Sequence, residues 1–129
     1  MKSLSLALLG PFQLLLHGHP ITRFPSSKAK GLMIYLAVSN GEHLGAAIPR
    51  ETLMELLWPG LPLSSAQANL RTTVYRLNKT VSDPISTAGN PVPFVLSERL
   101  AVRIHPQAEY DFDIDDFYKL AHKQDSTRL

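Results

Sequence analysis

The sequence predicts an α+β domain that carries a helix-turn-helix pair, and three observations predict it. Short apolar-rich runs broken by Gly and Pro fill the stretch from Ser3 to Phe24, as in a strand meander. Residues 50–81 then read as two short helices, the second basic and free of acids. Phe94 to Ile104 follows as two apolar runs around the polar pair Glu98-Arg99, the pattern of a hairpin.

The strand runs are Ser3 to Leu9, Gln13 to His17 and Ile21 to Phe24, separated by Gly10-Pro11 and Gly18-His19-Pro20. An antiparallel meander is expected. Ser26 or Ser27 caps a first helix, because a serine oxygen can accept from a backbone N–H left unpaired in the first turn. Ala29, Leu32, Met33, Leu36 and Ala37 give that helix one apolar stripe, and Asn40-Gly41 is expected to end it. Ala46 to Ile48 fits a short strand.

Pro49-Arg50-Glu51 starts the second helix with an acid in its first turn, and Leu53, Leu56 and Leu57 form its stripe. Pro59-Gly60 stops it after Trp58. The connection from Pro59 to Leu63 is longer than the tight turn of the simplest helix pairs. Ser64 and Gln67 have capping-box spacing, so the third helix is expected to begin near Ser64 and run to Val81. Leu70, Val74, Leu77 and Val81 recur at intervals of four, three and four and must face a core. At about 100° per residue, Ser65, Ala68, Thr72, Tyr75, Arg76 and Lys79 then face outward, with Asn69 and Arg71 on the flanks. Small residues early and long cations late suit close approach to a groove, with contacts to phosphates or base edges. A basic helix face is also a common solvated surface that needs no partner.

Ser82 to Pro93 is rich in Pro, Gly, Ser and Asn and reads as an irregular loop. The hairpin after it has the position of a wing, where Arg99 could touch a phosphate or enter a minor groove; a plain surface arginine in a turn is the other reading. Asp111-Phe112-Asp113-Ile114-Asp115-Asp116 alternates acids with apolar residues, as in an extended segment packed by Phe112 and Ile114. Asp115 or Asp116 is placed to cap a short last helix through Phe117, Leu120 and Ala121, with Gln124 to Leu129 frayed.

The chain has 129 residues, enough for one domain with its own core. It has no cysteine, which excludes disulfides, thiolate metal sites and cysteine nucleophiles and fits a cytoplasmic location. Gly10-Pro11 interrupts the early apolar run too soon for a secretory signal, and no run is long enough to span a membrane. The net charge of +2 is unevenly spread. Residues 1–104 hold ten Lys or Arg against five Asp or Glu, and residues 105–129 hold three against six, so the body is basic and the tail acidic.

No catalytic or metal constellation stands out, and neither enzyme nor cofactor is expected. Asp111, Asp113 and Asp115 imitate the start of a calcium loop, but Asp116 stands where it needs glycine and His122 where it needs glutamate. The five histidines lack helical ligand spacing. Ser27 and Lys30 have S-x-x-K spacing without the companion motifs of a serine acylase.

Taken together, Leu8-Leu9-Gly10-Pro11-Phe12, Ser27-Lys28-Ala29, Arg50-Glu51-x-Leu53 to Leu57-Trp58-Pro59, and Ala68-Asn69-Leu70-Arg71 to Tyr75-Arg76-Leu77 carry a family resemblance. The chain resembles the OmpR-type winged-helix DNA-binding domain of SARP-like bacterial transcriptional activators, from about residue 3 to residue 120. The resemblance implies a winged helix-turn-helix with an N-terminal antiparallel sheet, three helices and a C-terminal β-hairpin wing. It also implies double-stranded DNA as partner, with helix 64–81 in the major groove, and phosphate contacts from Arg50 and Trp58. For Trp58, burial beside Leu57 is an equally good reading. Two positions depart from the family pattern: Asn78-Lys79 follows Arg76-Leu77 where a second Arg is common, and the acid Glu98 sits at the wing tip, where it lowers affinity for phosphate or forces the tip aside.

The expected division is a DNA-binding domain at 1–104 and an acidic linker at 105–129 leading toward an absent helical effector domain. The chain is then either an excised DNA-binding piece or a truncated natural regulator. Expected DNA contacts are Arg50, Trp58, Ser65, Asn69, Arg71, Thr72, Tyr75, Arg76, Lys79 and Arg99. RNA polymerase or the effector domain is the expected protein partner, with a monomer in solution and a tandem dimer open on DNA. The alternative is a winged-helix protein-interaction module that does not bind DNA.

Overall fold

A computed structural model of the chain describes residues 4–81 and 93–127, with side chains as far as residue 121. The loop expected from Ser82 to Pro93 lies outside the described residues except for Pro93, and so do Met1 to Ser3 and the last two positions.

Strands β1 (Leu4–Ala7) and β2 (Gln13–Leu16) pair antiparallel, placing Leu4 opposite Leu16 and Leu6 opposite Leu14. The next strand, β3 (His19–Pro20), is two residues long and lies earlier than the expected Ile21 to Phe24 run. The positive φ of His17 and Gly18 turns the chain so early that its pairing is spent by Pro20, and only the N–H of Ile21 still reaches Leu14. Helix α1 (Ser27–Glu42) starts on Ser26, whose Oγ accepts from the N–H of Ala29 at 3.1 Å. It buries the five stripe residues expected of it and also Asn40. Gly41 does not end it; the helix closes at His43.

Strand β4 (Ile48–Pro49) leads into α2 (Arg50–Leu57), and Trp58 caps that helix before Gly60 turns with φ +78°. Helix α3 (Leu63–Val81) begins one residue before Ser64, so Ser64 sits inside the first turn and is not the cap. The carbonyl of Pro62 already accepts from the N–H of Ala66, which is why the helix starts early. Strands β5 (Val95–Ser97) and β6 (Ala101–Ile104) form the expected hairpin, and β4 joins it in the order β4-β6-β5.

The first sheet and the last helix also differ from expectation. The N-terminal sheet is mixed: β7 (Tyr110–Phe112) pairs parallel with β1, giving the order β3-β2-β1-β7. The last helix, expected to be short and capped by Asp115 or Asp116, is α4 (Asp113–Thr127); it follows β7 directly and is helical over Gln124 to Thr127 where fraying was expected. Both changes follow from the alternating 111–116 segment. Phe112 is buried opposite Leu6, which fixes the strand. Asp113 then accepts from the N–H of Leu8 at 2.9 Å and of Leu9 at 3.0 Å, tying the helix start to the end of β1. Asp113, Asp115 and Asp116 also lie in the first turn, where negative charge opposes the positive end of the helix dipole.

One core unites these layers. Leu4, Leu6, Leu14 and Phe112 from the first sheet, the α1 stripe, Leu53 and Leu57 from α2, the α3 stripe, and Val95, Val102 and Ile104 from the second sheet are all buried together. Phe94 bridges the sheets, with its ring 6.0 Å from Phe112 and 6.1 Å from Tyr110. Burial holds the Tyr110 phenol above its ordinary value; the bond from Asn40 opposes this, and the nearby Asp115 carboxylate adds to it.

Helix α4 approaches α1 at Gly41, where an added Cβ would stand 2.8 Å from Cδ2 of Tyr118. Gly41→Ala should therefore lower stability in urea unfolding by about 1–3 kcal/mol, the usual cost of overpacking. With Tyr118→Ala already present, the same change should become neutral or stabilising, because alanine favours a helix interior over glycine by about 1 kcal/mol.

Candidate nucleic-acid interface

The outer surface of α3 follows from its inner one. Ala66, Leu70, Thr73, Val74, Leu77 and Val81 are buried, Asn78 and Thr80 are half-buried, and the other positions are left to solvent. Ser65, Ala68, Asn69, Arg71, Thr72, Tyr75, Arg76 and Lys79 are all exposed. Thr73, the polar member of the inner face, donates its hydroxyl to the Asn69 carbonyl at 2.7 Å and so enters the core satisfied. The outward face carries Arg71, Arg76 and Lys79 and no acid anywhere along the helix. Lys79 Nζ stands 5.3 Å above the ring of Tyr75, which is 61% exposed, so the two side chains form one cationic, flat-sided ridge.

Asn78 gives this ridge a neighbour. Its Nδ2 donates to the Val95 carbonyl at 3.0 Å, and its Oδ1 accepts from the Val95 N–H at 2.8 Å. Phe94 and Glu98 bond across the hairpin to His105 and Ala101, so the backbone groups of Val95 point the other way, off the sheet edge. One helix side chain thus takes the place of a missing strand. The hairpin is thereby held beside α3, with Arg99 exposed at its tip. Sequence reasoning missed Asn78 in this role, because a half-buried asparagine near a helix end has no periodic signature.

The other expected contacts are placed differently. Arg50 is half-buried: its Nη1 donates to Ser97 Oγ at 2.6 Å and its N–H to the Leu100 carbonyl at 3.0 Å, so it braces the start of α2 against the hairpin. Its other guanidinium donors keep the planar fork that suits phosphate. Trp58 is half-buried against the core, at a shallow depression that Glu51, Glu55, Leu61 and Leu63 also line. Acids beside that indole are unfavourable neighbours for a phosphate. Among the described residues no group of three or more His, Cys, Asp or Glu side chains could hold a metal ion. No described helix is long and apolar enough to cross a membrane.

No family model matches the chain, and no curated protein does. Among solved structures, EmbR of Mycobacterium tuberculosis, in complex with a low-affinity phosphopeptide, is similar over 81% of this chain at 22% identity and a TM-score of 0.58. The chain spans 25% of that structure's length, and the likeness is one of fold.

Asn78→Ala removes both bonds to Val95 and leaves a buried N–H and carbonyl to find other partners. The expected cost is about 1–3 kcal/mol in urea unfolding, with faster hydrogen exchange at the Val95 amide while the α1 amides keep their protection.

Proposed function

We propose that the chain is the DNA-binding domain of a bacterial transcriptional regulator, a winged helix that reads double-stranded DNA by setting α3 in the major groove. One observation carries this reading: α3 buries the stripe of Leu70, Val74, Leu77 and Val81 and turns outward a surface with three cations and no acid. The hairpin bonded to it by Asn78 would serve as the wing. Likeness of fold to EmbR, a SARP-family regulator, supports the same class.

In this reading Ser65, Ala68 and Asn69 bring the start of the helix close to the groove, while Thr72 and Arg76 reach base edges. Arg71, Lys79, Arg50 and Arg99 contact phosphate, and Tyr75 packs against the sugar-phosphate wall. Trp58 keeps its place as a phosphate donor only at the rim, given the acids beside it. The regulator would work in the cytoplasm without a cofactor, as a monomer in solution that binds repeated half-sites in tandem. Its protein partner would be RNA polymerase or an effector domain reached through residues 105–129. Its mechanism is binding without chemistry.

A second reading, a protein-interaction module, has a specific observation in its favour. Leu56 on α2, Leu61 in the connection and Leu63 at the start of α3 are 51%, 41% and 62% exposed, near Glu51 and Glu55. Such an apolar, acid-edged surface suits a protein and repels DNA.

Duplex binding followed by fluorescence anisotropy separates the two. Wild type should lose affinity steeply as salt rises, and the Arg76→Ala, Lys79→Ala double variant should flatten the log–log salt slope by about 0.9 for each phosphate it no longer neutralises. Lys79→Ala alone should weaken all duplexes alike, and Arg76→Ala should change the ranking among them. Equal affinity of wild type and the double variant would refute the assignment of α3.

A further inference from the structure

The hairpin tip carries an acid that the DNA-binding reading does not use. Glu98 follows β5 and its N–H donates to the Ala101 carbonyl at 2.8 Å. Leu96 stands opposite Arg103 in the register, so Glu98 and Arg103 are diagonal neighbours across the hairpin. Val102 and Ile104 point into the core, which puts Arg103 on the outer face with Glu98. Glu98 Oε1 lies 2.7 Å from Arg103 Nε.

This is a charge contact and not an aligned hydrogen bond, since the Nε of Arg103 is shielded from solvent and has no aligned acceptor among the described residues. Both side chains stay partly open, 31% for Arg103 and 44% for Glu98. A pair this exposed adds little to folding. Its main consequence is electrostatic: it neutralises one of the two arginines of the hairpin and leaves Arg99 as the open one.

We propose that Glu98 is a charge latch on the hairpin, holding the Arg103 guanidinium away from phosphate and setting the affinity for duplex DNA below what this surface can reach. The proposal rests on the DNA-binding reading. Opening the latch exchanges one carboxylate partner for a phosphate. Glu98 would then tune how far binding depends on the bases read by α3, because an added phosphate contact strengthens every sequence equally. Simple repulsion between Glu98 and phosphate would also weaken binding, but it would not depend on Arg103.

A double-variant cycle separates these. Anisotropy titrations of a short duplex over a range of salt would compare wild type, Glu98→Gln, Arg103→Gln and the pair combined, with thermal melts confirming that all four fold alike. The latch predicts that Glu98→Gln tightens binding several-fold and steepens the log–log salt slope by about 0.9, the value for one more neutralised phosphate. It predicts no such gain when Arg103 is already glutamine. An equal gain in both backgrounds would overturn the latch in favour of plain repulsion, and wild-type binding with no gain from Glu98→Gln would overturn it outright. No salt-dependent binding by any of the four would instead refute the DNA-binding reading on which the latch depends.

Discussion

A single side-chain amide joins the two halves of the proposed interface. Asn78 matches both the N–H and the carbonyl of Val95, and those groups belong to the outer edge of a three-stranded sheet that would otherwise end in unpaired backbone. The position suits the task, because Asn78 follows Leu77 on the stripe and so lies at the border between the buried and exposed faces of α3. A helix held only by apolar packing can slide or roll by small amounts. A two-point hydrogen bond fixes the register between helix and hairpin, so that Arg76 and Lys79 on one and Arg99 on the other keep a set spacing. Arg50 adds a second brace from the start of α2 to Ser97 and Leu100.

The far side of the molecule is fastened by similar means. β7 lies along β1, and Asp113 closes the end of β1 through the Leu8 and Leu9 amides. Asn40, buried in the last turn of α1, donates to the Tyr110 hydroxyl at 2.6 Å and accepts from the Gly45 N–H at 2.9 Å. The bonds of Asp113 to β1 and of Asn40 to Tyr110 join residues far apart in the sequence, and they close the first sheet around α1. This scaffold is acidic where it meets α4, while the cationic ridge lies on α3, so the uneven charge along the chain becomes an uneven charge over elements.

Much of this was legible in the sequence where a period carries the information. The α3 stripe of Leu70, Val74, Leu77 and Val81 is the buried one, and the α1 stripe is buried residue for residue. Turn chemistry located the hairpin and the end of α2. What could not be read depends on partners distant in the chain. Alternation at 111–114 suggested an extended segment, yet nothing in it names β1 as its parallel neighbour. Gly41 looked like a helix end, whereas its lack of a side chain serves the close approach of Tyr118. Asn78 was visible only as a departure from a family pattern, and the Glu98–Arg103 contact only as an acid in an unwelcome place.

In the proposed reading α3 and the hairpin form one DNA-facing surface. The most direct test is an NMR titration of isotopically labelled protein with duplex DNA at low salt, following backbone amides. Shifts should concentrate at Asn69, Thr72, Arg76 and Lys79 together with Arg99, while amides of the α1–α4 contact stay in place. Shifts confined to α2 and the α2–α3 connection, or to the acidic side around α4, would rule out α3 and the hairpin as the DNA-facing surface.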